Sequence, residues 1–171
     1  MTTAWDAIAS RRNVRAFDQR EIAAADLDRI LEAGRRSPSA KNWQPWDFVV
    51  VTERSRLEAP SRVWQGGRHV ADAAAAVALV QPVVEGRKAG IAWFDLGQAA
   101  AAMQIAAAEL GIGSGHSSVG DQDLARELLA VPADRTVALL LDFGYPAGRP
   151  LAPIAKPDRR PFEQVVHRDR W

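Results

Sequence analysis

Ser37-Pro38-Ser39-Ala40-Lys41-Asn42-Trp43-Gln44-Pro45-Trp46 runs directly into Asp47-Phe48-Val49-Val50-Val51, a polar loop that opens into an apolar stretch. The second part is rich in β-branched residues and predicts a strand. The first part holds two prolines, two amide side chains and two tryptophans. Such a loop offers rigid backbone carbonyls and amide donors, which suit the edge of a flat heterocycle. Read as an ordinary turn it is unusually rich in Trp. Some tryptophans belong to the core, and Trp46 is the stronger candidate of the two.

On the N-terminal side of this segment, Thr3 followed by Asp6 predicts a capping box opening a short helix, with Trp5, Ile8 and Ala9 on one face. Leu27, Ile30, Leu31 and Gly34 recur at i, i+3, i+4 and i+7 and predict a second amphipathic helix over 26–36, stopped by Pro38. On the C-terminal side, residues 53–70 are polar with a Gly66-Gly67 break and suit a short helix plus loop. Ala73 to Val80 fits a strand or a buried helix by periodicity; its length and its valines favour a strand. Asp95 is expected to cap a long helix ending at Leu110, with Gly111 beyond it. That helix is apolar nearly all round, which predicts burial against the core or against a second subunit. Asp121 caps a short helix through Leu129, and Thr136 to Phe143 is a strong strand. The order helix, helix, strand, strand, helix, helix, strand predicts a single α+β domain over 1–171, helices packed on a sheet.

Composition narrows the function. The net charge is +1, so no overall field draws the protein to nucleic acid or a membrane, and no basic–aromatic interleaving appears. Arg11, Arg12, Arg15 and Arg20 nevertheless crowd one end, and Lys156, Arg159, Arg160, Arg168 and Arg170 the other. Two such clusters suit a small anion, the alternative being solvated surface arginines. Cysteine is absent, which excludes thiolate chemistry, cysteine zinc sites and iron–sulfur clusters. His69, His116 and His167 have no metal-pair spacing, so no metal is expected. The N-terminus lacks a basic region followed by an apolar run, and Ala73–Val80 is too short to span a bilayer; the expected location is cytoplasmic. From Ala147 to Trp171, four prolines keep the tail extended, with Phe162, Val165, Val166 and Trp171 as apolar anchors. Such a tail suits wrapping around another subunit, with Val165-Val166 as an edge strand; disorder is the competing reading.

Three local patterns carry chemistry. In Arg11-Arg12-Asn13-Val14-Arg15-Ala16-Phe17, three guanidinium forks within five residues can converge on one phosphate dianion. The loop at 37–46 is the second. Gly111-Ile112-Gly113-Ser114-Gly115 is the third, but it follows a helix rather than a strand, so a dinucleotide-binding loop fails on context. Helix termination or close backbone approach to a ligand remain.

Taken together, these segments resemble the nitroreductase family of FMN-dependent oxidoreductases. The resemblance rests on Arg11–Phe17, on Ser37–Trp46 with the strand after it, and on Glu109-Leu110-Gly111-Ile112-Gly113. Phe143-Gly144-Tyr145-Pro146 and Arg159-Arg160-Pro161-Phe162-Glu163-Gln164-Val165-Val166-His167 complete it, in the same order along almost the whole chain. It implies a central, mostly antiparallel sheet flanked by helices, with the C-terminal tail extending onto the partner subunit of a homodimer. It implies FMN as cofactor, NAD(P)H as donor and a small acceptor such as a nitroaromatic, quinone or flavin, in ping-pong turnover without a side-chain nucleophile. Arg11, Arg12, Arg159 and Arg160 would hold the phosphate, with Lys156 as a competitor because Asp158 interrupts the family's basic run. Asn13, where the family usually has Ser, would bond the pyrimidine edge. Arg15 would sit near N1 and the C2 carbonyl and tune the flavin. Pro38, Ser39 and Asn42 would come from the other subunit, and Ser117, Ser118 and Val119 would lie near N5. The alternatives are a flavin-binding dimer without turnover and a specialised relative acting on flavin or a halogenated substrate. The chain is short for that family, which puts the covering of the substrate side in question.

Overall fold

The computed structural model describes residues 3–171. The predicted capping box opens the chain: the Thr3 hydroxyl accepts from the Asp6 N–H, and the Asp6 carboxylate accepts from the Thr3 N–H at 3.0 Å. This nucleates α1 (Ala4–Ser10). α2 (Ala24–Arg35) buries Leu27, Ile30 and Gly34, the face that the i, i+3, i+7 spacing selects. β1 (Asp47–Val51), β2 (Ala75–Pro82), β3 (Gly113–Ser117) and β4 (Arg135–Gly144) form one sheet in the order β1-β2-β4-β3, every neighbouring pair antiparallel. α3 (Arg54–Leu57), three short 3-10 turns and α5 (Gln122–Leu129) complete the body, with α4 (Gly86–Glu109) as its longest helix.

The sheet is covered on both faces. Val77, Leu79, Leu141 and Phe143 point toward α2 and α4, meeting Ile30, Leu96 and Met103. Ala78, Val80, Val137 and Leu140 point the other way, onto Val63 and Ala125. A strand buried on both faces reads as an unbroken apolar run, which is why Ala73–Val80 carried no decisive period. Gly34 leaves the space in which the Met103 side chain lies where α2 crosses α4.

Three expectations change. α4 begins at Gly86, after Glu85, and not at Asp95. Its first turns mix Arg87, Lys88 and Gly90 with apolar residues and hide the helix; Asp95 lies mid-helix, 2% exposed. Gly113–Ser117, expected as loop, is the edge strand β3. The helix before it ends as predicted: Gly111 has φ +73, and the Gly111 and Ile112 N–H groups donate to the Ala108 and Ala107 carbonyls, a Schellman closure. Third, Val165-Val166 forms no strand, since Phe162–Gln164 is a 3-10 turn and residues 152–171 are exposed throughout. Within one chain, the outer edge of β3 is taken by Asn13 and Val14. The tail is tied to the body only in its first part, where Ala147 and Ile154 donate to the Ala16 and Ala9 carbonyls, both at 3.0 Å. Among the described residues, no helix is long and apolar enough to cross a membrane.

Candidate functional site

After α1 the backbone becomes extended and runs beside β3. The Val14 N–H donates to the Ser114 carbonyl at 2.9 Å, and the Asp18 N–H to the Tyr145 carbonyl at 2.9 Å. Packing then sorts the side chains: Val14 and Phe17 are buried, whereas Asn13, Arg15 and Ala16 face out. The apolar pair therefore anchors a strip of cations. Among the described residues, Arg11, Arg12 and Arg15 have no carboxylate within 4.0 Å. Arg12 donates to the Arg149 carbonyl at 2.6 Å and Arg11 to Asn13 Oδ1 at 3.4 Å. Three guanidiniums within five residues, with no counter-charge among the described residues, suit an anion.

The glycines of β3 have a steric role. A Cβ on Gly115 would lie 2.6 Å from the Val14 carbonyl oxygen and 2.6 Å from Asp142 Oδ2. A Cβ on Gly113 would lie 2.7 Å from Val14 Cγ2. Of the two readings left open for these residues, Gly111 ends the helix, and Gly113 and Gly115 admit the chain's own backbone and a buried carboxylate. Asp142 is fully buried and lies 2.9 Å from His69 Nδ1. This pair pins β4 and the 67–72 turn directly behind β3. Beyond β3, the Ser117 hydroxyl donates to the Ser118 carbonyl at 3.2 Å, Ser118 is exposed, and Val119 packs against the Val63 cluster.

The 37–46 loop is built under strain. Lys41, Asn42 and Gln44 all have φ between 52 and 57, a left-handed conformation that non-glycine residues adopt at a cost of about 1–3 kcal/mol each and that concentrates at binding sites. Its surroundings hold it there. Asp95 Oδ2 accepts from the Ala40 N–H at 2.9 Å, the Ser39 hydroxyl accepts from the Gln44 N–H at 2.9 Å, and Gln44 Nε2 donates to the Asn42 side chain at 3.1 Å. Pro45 is buried and Trp46 is core, as expected, while Trp43 stays partly exposed. Pro38, Ser39 and Ala40 then face α4 across an open cavity of about 650 Å³, lined on the helix by Arg87, Gly90, Ile91, Phe94 and Gln98.

Within one chain, Arg11, Arg12, Asn13 and Arg15 share a strip beside Ser114, and Pro38 and Ser39 share a cavity wall, with Asn42 three residues on. Arg159 and Arg160 are not brought to either. They donate to their own segment, at the Asp158 and Gln164 carbonyls, and are exposed.

Comparison with known proteins converges on one family. The nitroreductase family matches residues 8–89 and 62–145, more than half of the chain. An Archaeoglobus fulgidus protein with the provisional name NADH dehydrogenase/NAD(P)H nitroreductase is 31% identical over 169 residues, covering 96% of each chain.

The chain belongs to the nitroreductase family.

Solved structures agree. An FMN-dependent nitroreductase from Clostridium difficile R20291 superposes with a TM-score of 0.84 at 25% identity, covering 98% of this chain and 99% of its own. A nitroreductase family protein from Clostridium difficile 630 gives 0.83 at 22% identity over the whole of both chains. This family member is an oxidoreductase whose relatives are named for nicotinamide chemistry.

Two features escaped the sequence reading. Asp95 looked like a helix cap and is the buried anchor of the strained loop; the available signal was a single charged residue in the stretch of α4 between Lys88 and Glu109. The His69–Asp142 pair joins residues 73 apart, and nothing local announces it.

Proposed function

We propose that this nitroreductase-family chain is an FMN-dependent NAD(P)H oxidoreductase that works as a homodimer and passes electrons to a small acceptor. The observation that carries the reading is the row Arg11, Arg12 and Arg15, three guanidiniums fixed along β3 with no carboxylate near them. FMN supplies a phosphate dianion for such a row and, on its isoalloxazine ring, the hydride chemistry that side chains cannot perform. The donor set fits it.

In this reading Arg11 and Arg12 bind the phosphate, joined by Arg159 or Arg160 of a second copy. Asn13 offers an amide to the pyrimidine edge. Arg15 places a cation near N1 and the C2 carbonyl, favouring extra electron density there. Pro38, Ser39 and Asn42 reach the ring from the other subunit, and the exposed backbone at Ser118 lies toward its centre. The strained loop supports this, because its left-handed residues hold Ser39 and Asn42 in place before any ligand arrives. The second copy is supported by exposed apolar side chains: Trp5, Ile8, Trp93, Phe162 and Val165 are each about half exposed or more. Large apolar side chains left in water suit an interface, where a second copy would cover them. Donor and acceptor would use one slot in turn, the first leaving before the second enters, which gives ping-pong kinetics. Nitroaromatics, quinones and flavins suit that slot.

The test is direct. Purified protein should be yellow with stoichiometric FMN and run as a dimer, and anaerobic NADH or NADPH should bleach it. A colourless monomer that ignores added FMN would falsify the reading. Tight FMN binding with no bleaching would favour a non-enzymatic flavin protein of the same fold.

A further inference from the structure

We infer that the cavity between the 38–40 loop and α4 is the acceptor site, and that it selects planar aromatic anions through Arg87 and Phe94. The inference rests on the oxidoreductase reading above. Arg87, Gly90, Ile91, Phe94 and Gln98 follow the i, i+3, i+4, i+7 rule and so line one face of α4. Gly90 has nothing within 4 Å of its Cβ position, so the wall is open at its centre. A volume of about 650 Å³ lies within the range of small-ligand pockets, roughly 300–1,000 Å³.

Charge decides the ligand class. Asp95 lies in the wall, but its carboxylate is 2% exposed and accepts from the Ala40 N–H and, more weakly, from Gln98. Its oxygens are used within the wall and offer no open face to a ligand. Arg87 makes no hydrogen bond or ion pair among the described residues and is exposed at the rim. Arg87 is therefore the ionic donor that an incoming ligand can reach. Phe94, 70% exposed one turn beyond Gly90–Ile91, supplies a face for an aromatic ring, which stacks or meets it edge-on. Pro38 and Ser39, proposed to touch the flavin of the other subunit, form the opposite wall. A ring held by Phe94 with its carboxylate on Arg87 would thus lie between the helix and the cofactor. The guanidinium fork matches a carboxylate in a bidentate geometry that an ester cannot offer.

The experiment compares 4-nitrobenzoate with its neutral methyl ester in FMN-loaded protein. Each turnover converts NADH, a proton and the nitro compound to NAD⁺, the nitroso compound and water. The wild type is expected to favour the carboxylate over the ester by about tenfold in kcat/KM, the value of a ~1.4 kcal/mol contact. Arg87→Gln should erase that preference by raising KM for the carboxylate, and Arg87→Lys should restore part of it. Lys88→Gln, off the cavity face, should leave the ratio alone. A calorimetric titration of 4-nitrobenzoate without donor should show the same loss in Arg87→Gln. Unchanged selectivity in Arg87→Gln overturns the inference. So does a rise in KM for NADH alone, which would assign the guanidinium to the donor's pyrophosphate. Absence of any 4-nitrobenzoate binding to the dimer also overturns it and means that the second copy covers this face. These failures leave FMN binding and bleaching by NADH intact, whereas failure of the parent reading removes both.

Discussion

Arg11–Phe17 and Arg159–Val166 offer a similar mixture of guanidiniums and large apolar residues, yet the domain holds only the first. Val14 and Phe17 are buried against Ala73, and backbone hydrogen bonds tie them to Ser114 and Tyr145. Phe162, Val165 and Val166 stay between 38% and 62% exposed, although the chain just before them, at Ile154, still bonds to α1. Composition does not explain the difference. An open edge and an apolar slot were available to the N-terminal segment, and by the time the tail passes, both are filled. The tail therefore carries unburied apolar area that a second copy can cover, and it carries two arginines that, among the described residues, bond to its own backbone alone.

The largest effect should come from removing the unheld segment. Deleting residues 155–171 is expected to abolish both dimerisation and FMN retention while leaving the far-UV circular dichroism of the body intact. Size-exclusion chromatography and flavin absorbance check this; a truncated dimer that still holds FMN breaks the comparison. Next is the held segment. Arg12→Ala removes a charged donor worth about 1.5–3 kcal/mol, so the FMN Kd should rise roughly 10- to 100-fold by fluorescence titration. An unchanged Kd would mean that the phosphate lies elsewhere. Gly115→Ala should cost about 1–3 kcal/mol in denaturant unfolding, as overpacking does, because its Cβ meets the Val14 carbonyl and Asp142. A wild-type midpoint would show that the N-terminal segment is loosely held after all.

Smaller effects sharpen the same contrast. Arg15→Ala should make the bound flavin harder to reduce; losing ~1.4 kcal/mol of charge stabilisation lowers a two-electron potential by about 30 mV. Redox-dye titration reads it, and an unmoved potential would remove Arg15 from the flavin. Arg35 and Arg36 are the reference case of arginines that are neutralised, both bonding Glu32 at 2.6 Å. Those bonds hold the Glu32 carboxyl down to about 2 from 4.5. A depressed carboxylate pKa contributes stability above the unfolded value that is lost as pH falls through the folded one. The pair is exposed, so its contribution is small. Acid unfolding of Glu32→Gln should therefore be slightly less steep between about pH 4.5 and 2. Identical acid profiles would show that the fork does nothing for α2.

Much of the frame was legible because its signals are local. The capping box at Thr3, the stripe Leu27–Ile30–Gly34, the Asp121 cap and the β-branched runs each act within a few residues. The site was half legible. The arginine row and the 37–46 loop stood out by composition, whereas the role of Asp95 did not, since its partner Ala40 lies 55 residues away. Gly113–Ser117 escaped for a related reason. Four small residues and a histidine carry no strand propensity, and they pair only because β4 is beside them.

The sequence by itself determined the family, the helices and strands with local periodicity, and the crowding of arginines in the N-terminal segment. Tertiary structure decided which glycines admit a neighbouring backbone, which carboxylate is already satisfied, and which chain end finds an edge to occupy. Those outcomes depend on distances between residues far apart in the chain, and such distances exist only once the sheet has closed around its buried strands.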